Sequence, residues 1–241
     1  MLPRFLAAID PPSGTARLPA EEAHHLSQVL RLRAGDEVAV FDGAGREFRA
    51  RVDQVARDGA VVRLIEEQAA APEPFVRVTL AQAALKGEKM DDVVRDATMM
   101  GVAAIEPLVT DHTAAHLKPG RAPDRWRRIA VASAKQCRRA VVPHIGEGTV
   151  FADWIARDRS PVRVMLVEPA AGVETVPLTS IADRPASATI LIGPEGGWRA
   201  AEVAAAVAAG CVPITMGRRT LRADAMPIVA LGVLQYLWRD L

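Results

Sequence analysis

The residues best suited to chemistry lie in the short stretch "LIGPEGGW", which spans Leu191 to Trp198. Its apolar start predicts a buried strand, and its glycines predict a tight turn directly after that strand. Because glycine has no Cβ, backbone amides in such a turn can approach a ligand closely. Taken alone, the turn is explained equally well as a plain strand-to-helix connection in which Glu195 caps backbone amides.

Two common glycine-rich phosphate-binding motifs are absent from the sequence. No GxxxxGK(S/T) motif is present, which excludes a P-loop, and no GxGxxG motif follows a predicted strand, which excludes a dinucleotide-binding fingerprint. A ligand at this turn must therefore be held in another way.

A second stretch, "MGRRTLRAD", combines glycine with arginine one predicted helix later. We expect a strand to end at Met216 and Gly217, and a C-terminal helix to begin near Asp224 with that side chain as its N-cap. Three arginines lie between these points: Arg218, Arg219 and Arg222. We expect the two glycine-ended strands to lie side by side, which brings both turns to one site.

The densest positive charge lies between residues 118 and 139, where eight basic residues stand against a single acid. Apolar residues from Trp126 to Ala140 recur at helical spacing, which predicts an amphipathic helix. The opposite face carries a stripe of three cations: Arg128, Lys135 and Arg139. Because this face has hardly any acids, we expect it to bind phosphate groups. The alternative is a solvated face without function.

The composition limits the class of protein. The chain has 241 residues, of which 50% are hydrophobic, and this is enough for one or two domains. No run approaches the roughly 18 uninterrupted apolar residues of a membrane helix, and the N-terminal apolar stretch is too short and too interrupted by proline for a signal peptide. We therefore expect a cytoplasmic protein without a membrane partner.

The two cysteines predict neither a metal site nor a disulfide. Cys137 and Cys211 lie far apart and lack CxxC or Cys/His spacing. We expect both to be buried thiols and the protein to hold no metal.

A change of pattern at residues 69–74, "AAAPEP", predicts a boundary between two domains. Residues 1–70 contain one short helix and segments of alternating polarity, which predict a small antiparallel barrel or sheet. Residues 75–241 alternate all-apolar strands with helices, which predicts an α/β domain with a parallel sheet covered on both faces. The charge differs too: 9 basic and 12 acidic residues up to Pro74, against 21 and 17 after it.

Several segments in the same order resemble one protein family. They are "HHLSQVLRLRAGD", "VFDGAGREF", "KGEKMD", "GVAAIEPL", "KQCRRAVVPHI", "LIGPEGGW" and "MGRRTLRAD". Together they extend over almost the whole chain and resemble the small-subunit (16S) ribosomal RNA uridine N3-methyltransferases, the RsmE family of the SPOUT superfamily. Their agreement in order is far more specific than any one segment.

The resemblance implies two domains and a dimer. It implies a PUA-like RNA-binding domain over residues 1–70 and a SPOUT methyltransferase domain with a C-terminal trefoil knot over residues 75–241. Such a knot is an exception to the rule against threaded chains. The resemblance also implies a homodimer through the methyltransferase domain and 16S rRNA, or the small ribosomal subunit, as the partner.

The resemblance implies S-adenosylmethionine as the cofactor, held largely by main-chain groups of the knot loops. The cofactor-binding residues carried over are Ile192, Gly193, Gly197, Met216, Gly217, Arg219, Leu221 and Arg222. The implied reaction is methylation of N3 of a specific uridine in 16S rRNA. The related ribose 2′-O-methylating branch typically has serine-leucine-asparagine where this chain has "TLRAD", which favours a base over a ribose hydroxyl.

The candidate catalytic residues are Arg222 and Asp224. The N3 atom of uridine is a poor nucleophile until its proton leaves. Arg222 directed at uracil O2 or O4 would stabilise the developing anion, and Asp224 would orient Arg222 or act as the base. An aspartate has an ordinary pKa of about 3.9, so Asp224 is a weak base unless burial raises its pKa.

RNA contacts are expected from cations in both domains. Aromatic residues make up only 4% of the chain, so contacts to phosphates and to RNA shape should dominate over stacking. The predicted RNA-binding residues are Arg31, Lys86, Lys89, Arg128, Lys135 and Arg139.

The sequence departs from the family pattern at several positions. Asp224, followed by Ala225 and Met226, stands where glutamate and then threonine are common, Met99 replaces a common glutamate, and His112 replaces a common arginine. Lys135 replaces a usual acid. Altered RNA contacts, altered dimer pairs and neutral drift are the open explanations.

Two alternative functions stay open. One is a SPOUT methyltransferase that acts on another RNA position or atom, such as a ribose 2′-O. The other is a ribosome-assembly protein that binds RNA without catalysis, and the intact glycines at 193, 197 and 217 argue against it.

Overall fold

The computed structural model of the chain describes residues 2–56, 58–113, 124–169 and 171–240. The chain divides into two compact units, the first made of Met1–Glu73 with Val131–Val142, and the second of Pro74–Ala130 with Pro143–Leu241. Residues 131–142 were assigned to the second domain from the sequence and belong to the first unit. Lys118 and Arg121 of the basic segment lie outside the described residues.

The first unit contains a sheet with six strands in its described part. The strands are β1 (Arg4–Leu6), β2 (Ala8–Asp10), β3 (Thr15–Pro19), β4 (Glu37–Phe41), β5 (Glu47–Ala56) and β6 (Gly59–Gln68). Their order in the sheet is β1-β4-β5-β6-β3-β2. Every pair is antiparallel except β1 with β4, which is parallel.

Alternating side chains give this sheet its buried face. Along β5, the buried Phe48, Ala50 and Val52 alternate with more exposed residues, as a period of two requires. Helix α1 (Ala20–His24) continues into a wider π-helical turn at His25–Val29, and Leu26 from this turn packs into the same core. The predicted sheet with one short helix is present, and its described pairs are antiparallel as predicted except for β1 with β4.

The second unit contains a fully parallel sheet in its described part. Its strands are β7 (Arg77–Ala83), β8 (Ala104–Val109), β9 (His144–Ile145), β10 (Thr149–Val150), β11 (Val162–Leu166), β12 (Ser187–Ile192) and β13 (Val212–Ile214). The order is β10-β8-β7-β12-β11-β13, with β9 also pairing with β8. The carboxyl ends of these strands therefore meet at one edge.

The strand order corrects one expectation from the sequence. The glycine turns follow β12 and β13, and we expected these two strands to be neighbours. Instead β11 lies between them, paired in parallel with both. The segment after β11 therefore lies between the two turns.

The helices bury the apolar faces that their spacing predicts. They are α2 (Lys89–Met99), α3 (Asp124–Cys137), α4 (Phe151–Ile155), α5 (Ala200–Ala208) and α6 (Met226–Leu237). In α2 the buried residues include Met90, Val93, Val94 and Ala97, one stripe of a helix. A parallel sheet flanked by helices confirms the α/β class, and the trefoil knot stays a prediction.

Helix α6 begins later than predicted. Its N-cap is Ala225, no side chain caps it, and its first helical residue is Met226. The expectation that Asp224 caps this helix is wrong, because its carboxylate binds Arg222 instead. Among the described residues, no helix is long and apolar enough to cross a membrane.

Candidate functional site

A cavity of about 940 Å³ lies at the carboxyl ends of β11, β12 and β13. Its walls are the segments that follow these strands, together with one side of α5 and the start of α6. Ligands of parallel α/β sheets bind at this edge, because the loops there are free to form a site. The cavity is mostly apolar, with a few charged side chains at its wall: Lys89, Glu168, Glu195, Arg219, Arg222 and Asp224.

Most of the predicted cofactor-binding residues line this cavity. They are Ile192, Gly193, Gly197, Met216, Arg219, Leu221 and Arg222. Gly217 is not among the described lining residues. Its φ is 85°, which L side chains rarely adopt, so this glycine is required by the backbone of the loop.

The wall that follows β11 was missed in the sequence analysis. Residues Val167, Glu168, Pro169, Gly172 and Val173 from this segment line the cavity. The available signal was the segment "PVRVMLVEP", in which a largely apolar run is followed by Glu168 and Pro169. It was not used, because periodicity identifies a strand without identifying its neighbours.

The glycine turn after β12 packs closely against Trp198. The indole Nε1 donates to the carbonyl of Leu166, at 2.9 Å, and so links the turn to the end of β11. A Cβ at Gly193 would lie 3.0–3.2 Å from the indole ring. A side chain at this position would therefore require the backbone or the ring to move apart.

A salt bridge joins the glycine turn to the start of α2. Lys89 Nζ lies 2.8 Å from Glu195 Oε1, and the backbone N–H of Lys86 donates to the same oxygen at 3.3 Å. Burial alone would raise the pKa of Glu195, but the bonds from Lys89 and the backbone hold it below its usual range. Lys89, predicted to contact RNA, thus lies in the cavity wall.

The turn is also contacted by the loop after β8. His112 Nδ1 lies 3.0 Å from the carbonyl oxygen of Gly196 and 3.1 Å from that of Gly197. His112 is one of the positions that departs from the family pattern.

The candidate catalytic pair is joined by two parallel hydrogen bonds. Arg222 Nε donates to Asp224 Oδ1 and Arg222 Nη2 donates to Asp224 Oδ2, each at 3.0 Å. The arginine side chain is 72% exposed, whereas the aspartate side chain is 19% exposed. The carboxylate is therefore the fixed partner, and the guanidinium is the group that faces outward.

The charges of this pair act on each other. Partial burial would raise the pKa of the Asp224 carboxyl, yet the hydrogen bonds and charge of Arg222, with a contribution from Lys89, hold that pKa below its usual range. The same hydrogen bonds raise the pKa of Arg222. Asp224 is therefore a weaker base than an ordinary aspartate.

Two predicted RNA-binding cations are engaged elsewhere in the first unit. Lys135 Nζ lies 2.8 Å from Glu22 Oε2, and both side chains are largely buried. Arg139 is buried, with a short ion pair to Glu73. Folding thus brings an acid to each of these two cations, and Arg139 lies beyond the end of α3 at Cys137. Their contact with RNA stays a prediction.

The other predicted RNA contacts are exposed. Arg31, Lys86 and Arg128 are exposed to solvent and, in the described part of the chain, form no salt bridge. Arg31 has a φ of 58°, an uncommon conformation for a residue other than glycine.

The cysteines and acids give no indication of a metal. In the described residues, no three His, Cys, Asp or Glu side chains are placed to hold a metal ion. Cys211 is buried, and burial raises the pKa of its thiol to about 11. Cys137 is half-buried, whereas the sequence predicts a buried thiol.

Two family models match the chain. A model of the RNA methyltransferase domain matches residues 71–235, and a model of the RNA methyltransferase PUA domain matches residues 18–65. Fold, cavity and family models together define an RNA methyltransferase.

An individual relative identifies the family within the RNA methyltransferases. The ribosomal RNA small subunit methyltransferase E of Synechocystis sp. is 33% identical over 231 residues, which cover 92% of this chain and 73% of that protein. The chain belongs to the ribosomal RNA small subunit methyltransferase E family.

Solved structures agree with this assignment. The ribosomal RNA small subunit methyltransferase E of Neisseria gonorrhoeae, bound to S-adenosyl methionine, superposes with a TM-score of 0.86 at 27% identity, covering 99% of this chain and 98% of that one. A putative methyltransferase of Legionella pneumophila, in complex with the same cofactor, has a TM-score of 0.84 at 26% identity, covering 98% of both chains.

Proposed function

We propose that this protein transfers a methyl group from S-adenosylmethionine to N3 of a specific uridine in 16S rRNA of the small ribosomal subunit. The observation that carries the proposal is the cavity at the ends of β11, β12 and β13, with the Arg222–Asp224 pair in its wall. Membership of the family supports the reaction class and the RNA substrate.

The residues of the cavity fit the proposed cofactor. A volume of about 940 Å³ lies in the range of sites for small-molecule ligands. Apolar side chains such as Leu166, Val203 and Met226 suit a purine ring, and Gly193 and Gly197 bring the main chain into the wall of the cavity. When bound, S-adenosylmethionine supplies a methyl group already activated by its sulfonium.

Arg222 stabilises the negative charge that develops on the uracil when its N3 proton leaves. Its planar guanidinium can present two N–H groups to one oxygen-bearing edge. Asp224 orients the guanidinium through two bonds of 3.0 Å each. The lowered pKa of Asp224 favours this orienting role over that of general base.

The exposed cations Arg31, Lys86 and Arg128 contact phosphates of the RNA in this proposal. This role is supported by the exposure of the three side chains and by the absence of a salt bridge to any of them among the described residues. The division of labour between residues 1–70 and 75–241 stays a prediction, in which the first domain binds RNA and the second carries the reaction.

The working unit in this proposal is a homodimer formed by the methyltransferase domain. Helix α6 exposes Ile228 by 39%, Val233 by 38% and Tyr236 by 78%, and these residues fall on one helical stripe. Helix α2 packs against α6 and exposes Met99 by 38% at its end. An exposed apolar stripe on a helix suits a second copy of the same chain.

The protein acts in the cytoplasm, where ribosomal RNA is its substrate.

The nucleoside composition of rRNA from cells without this gene tests the proposed function. Mass spectrometry of small-subunit rRNA should show the loss of one 3-methyluridine, restored by the wild-type gene. Loss of a 2′-O-methylated nucleoside instead would select the alternative reaction, and an unchanged composition would contradict the proposal.

A further inference from the structure

The loop after β8, residues 110–113, is held in a closed turn. The Thr110 backbone N–H donates to Thr113 Oγ1 at 2.9 Å, and the Thr113 N–H donates to the Thr110 carbonyl at 3.0 Å. Thr110 is only 7% exposed, so the base of the loop is anchored in the fold. The side chains at its tip therefore project from a defined backbone.

His112 at this tip contacts the glycine turn of the cavity wall. Its Nδ1 lies 3.0 Å from Gly196 O and 3.1 Å from Gly197 O. A carbonyl oxygen only accepts hydrogen bonds, so Nδ1 must carry a proton, as it does in one neutral tautomer and in the charged ring. A Cβ at Gly196 would lie 3.0 Å from His112 Cβ, which shows how closely the two segments approach.

Glu202 ties the same loop to the start of α5. This residue is 8% exposed; its Oε1 accepts from the Asp111 N–H at 3.0 Å, and its Oε2 accepts from the Arg199 N–H at 2.9 Å. The Asp111 carboxylate also lies 3.3 Å from Arg199 Nε. The loop is thus bonded to the glycine turn and to the helix that follows it.

We propose that His112 is a positioning residue for the cofactor, since it fixes the peptide planes at Gly196 and Gly197. A rotating peptide plane turns its N–H together with its C=O, so fixing these two carbonyls fixes the peptide units of a turn that lines the cavity. Glycine restrains its own backbone least; the Gly197 N–H donates to the Pro194 carbonyl within the turn at 3.0 Å, and His112 holds the Gly197 carbonyl from outside the turn. This inference rests on the proposed binding of S-adenosylmethionine in the cavity.

The test compares His112→Ala with His112→Asn. Asparagine can place an amide N–H near the position of Nδ1, whereas alanine offers no donor. Calorimetry with S-adenosylmethionine should show affinity reduced roughly tenfold in His112→Ala and largely recovered in His112→Asn. The effect should appear in KM for S-adenosylmethionine more than in kcat.

A second readout needs no cofactor. Hydrogen exchange of the amides of residues 195–198 should be faster in His112→Ala than in the wild type, and close to the wild-type rate in His112→Asn. His144→Ala, at an exposed histidine of the same unit, is the matched control and should change neither affinity nor exchange.

The outcomes separate this inference from the function on which it rests. Wild-type protein that binds no S-adenosylmethionine would overturn the cofactor assignment. Wild-type binding with equal affinity and equal exchange in His112→Ala would overturn only the role of His112. If His112→Ala fails to fold, His112→Leu, which fills the space of the ring without a donor, takes its place. Wild-type affinity and exchange in that variant overturn the role, and losses that His112→Asn does not show support it.

Discussion

The proposed catalytic chemistry depends on two residues, Arg222 and Asp224. The bidentate contact leaves both carboxylate oxygens of Asp224 occupied by Arg222, at 3.0 Å each. A carboxylate in that position has little capacity to take a proton, and its lowered pKa agrees. We therefore expect Asp224 to orient Arg222, and Arg222 to stabilise the uracil anion.

We expect Arg222→Lys to reduce methyl transfer by roughly 10² to 10³, because lysine keeps the charge and loses the planar fork.

Asp224→Asn should lower the rate by a similar factor at every pH between 6 and 9, since an orienting role does not depend on proton uptake. Both are measured by single turnover at saturating cofactor and RNA. A rate in Asp224→Asn that recovers at alkaline pH would make Asp224 the base, and near-normal rates in both variants would remove the catalytic assignment.

At the scale of elements, helical spacing predicted the apolar faces of α2 and α3 but not the partners of Lys135 in α3 and of Arg139 just beyond it. Lys135 and Glu22 are 113 residues apart in the chain, and Arg139 and Glu73 are 66 apart. A local pattern shows which residues share a face and carries no information on an acid brought there by folding. The same limit explains why the position of β11 between β12 and β13 was missed.

The cations of α3 should separate into two classes. Lys135→Ala should destabilise the protein by about 1–3 kcal/mol, because it leaves the largely buried Glu22 carboxylate without its partner. Arg128→Ala should leave stability within about 0.5 kcal/mol and reduce the salt slope of RNA binding by roughly 0.7 to 0.9. Denaturant unfolding and filter binding at several salt concentrations measure both. Unchanged stability in Lys135→Ala with a reduced salt slope would restore the original phosphate-binding stripe.

At the scale of the whole molecule, the family resemblance found most of the cavity, whereas the physical reading of the sequence found its two turns. The resemblance covers ordered segments along almost the whole chain, so residues such as Met216 and Leu221 could be placed without a structure. The contacts that fix the turn could not, because His112 and Gly196 are distant in sequence and join only when β8 and β12 enter one sheet.

The exposed stripe on α6 predicts the assembly. Tyr236→Asp combined with Val233→Asp should convert a dimer into a monomer, since two charges in an apolar interface cost more than the contact provides. Sedimentation velocity measures the change. Ile65→Asp, at a 41% exposed position of β6 in the first unit, is the control and should remain dimeric. A monomeric wild type, or a double variant that stays dimeric, would contradict the proposed interface.

Methyl transfer by purified protein is the test of the proposed reaction. Wild-type protein, S-adenosylmethionine with a labelled methyl group and small ribosomal subunits from cells without the gene are combined, and the rRNA is digested to nucleosides. We expect one labelled product, 3-methyluridine, at one position, and much slower formation of it by Arg222→Lys under single turnover. Label on a ribose 2′-O, label on another base, or no transfer from a protein that binds the cofactor would contradict it.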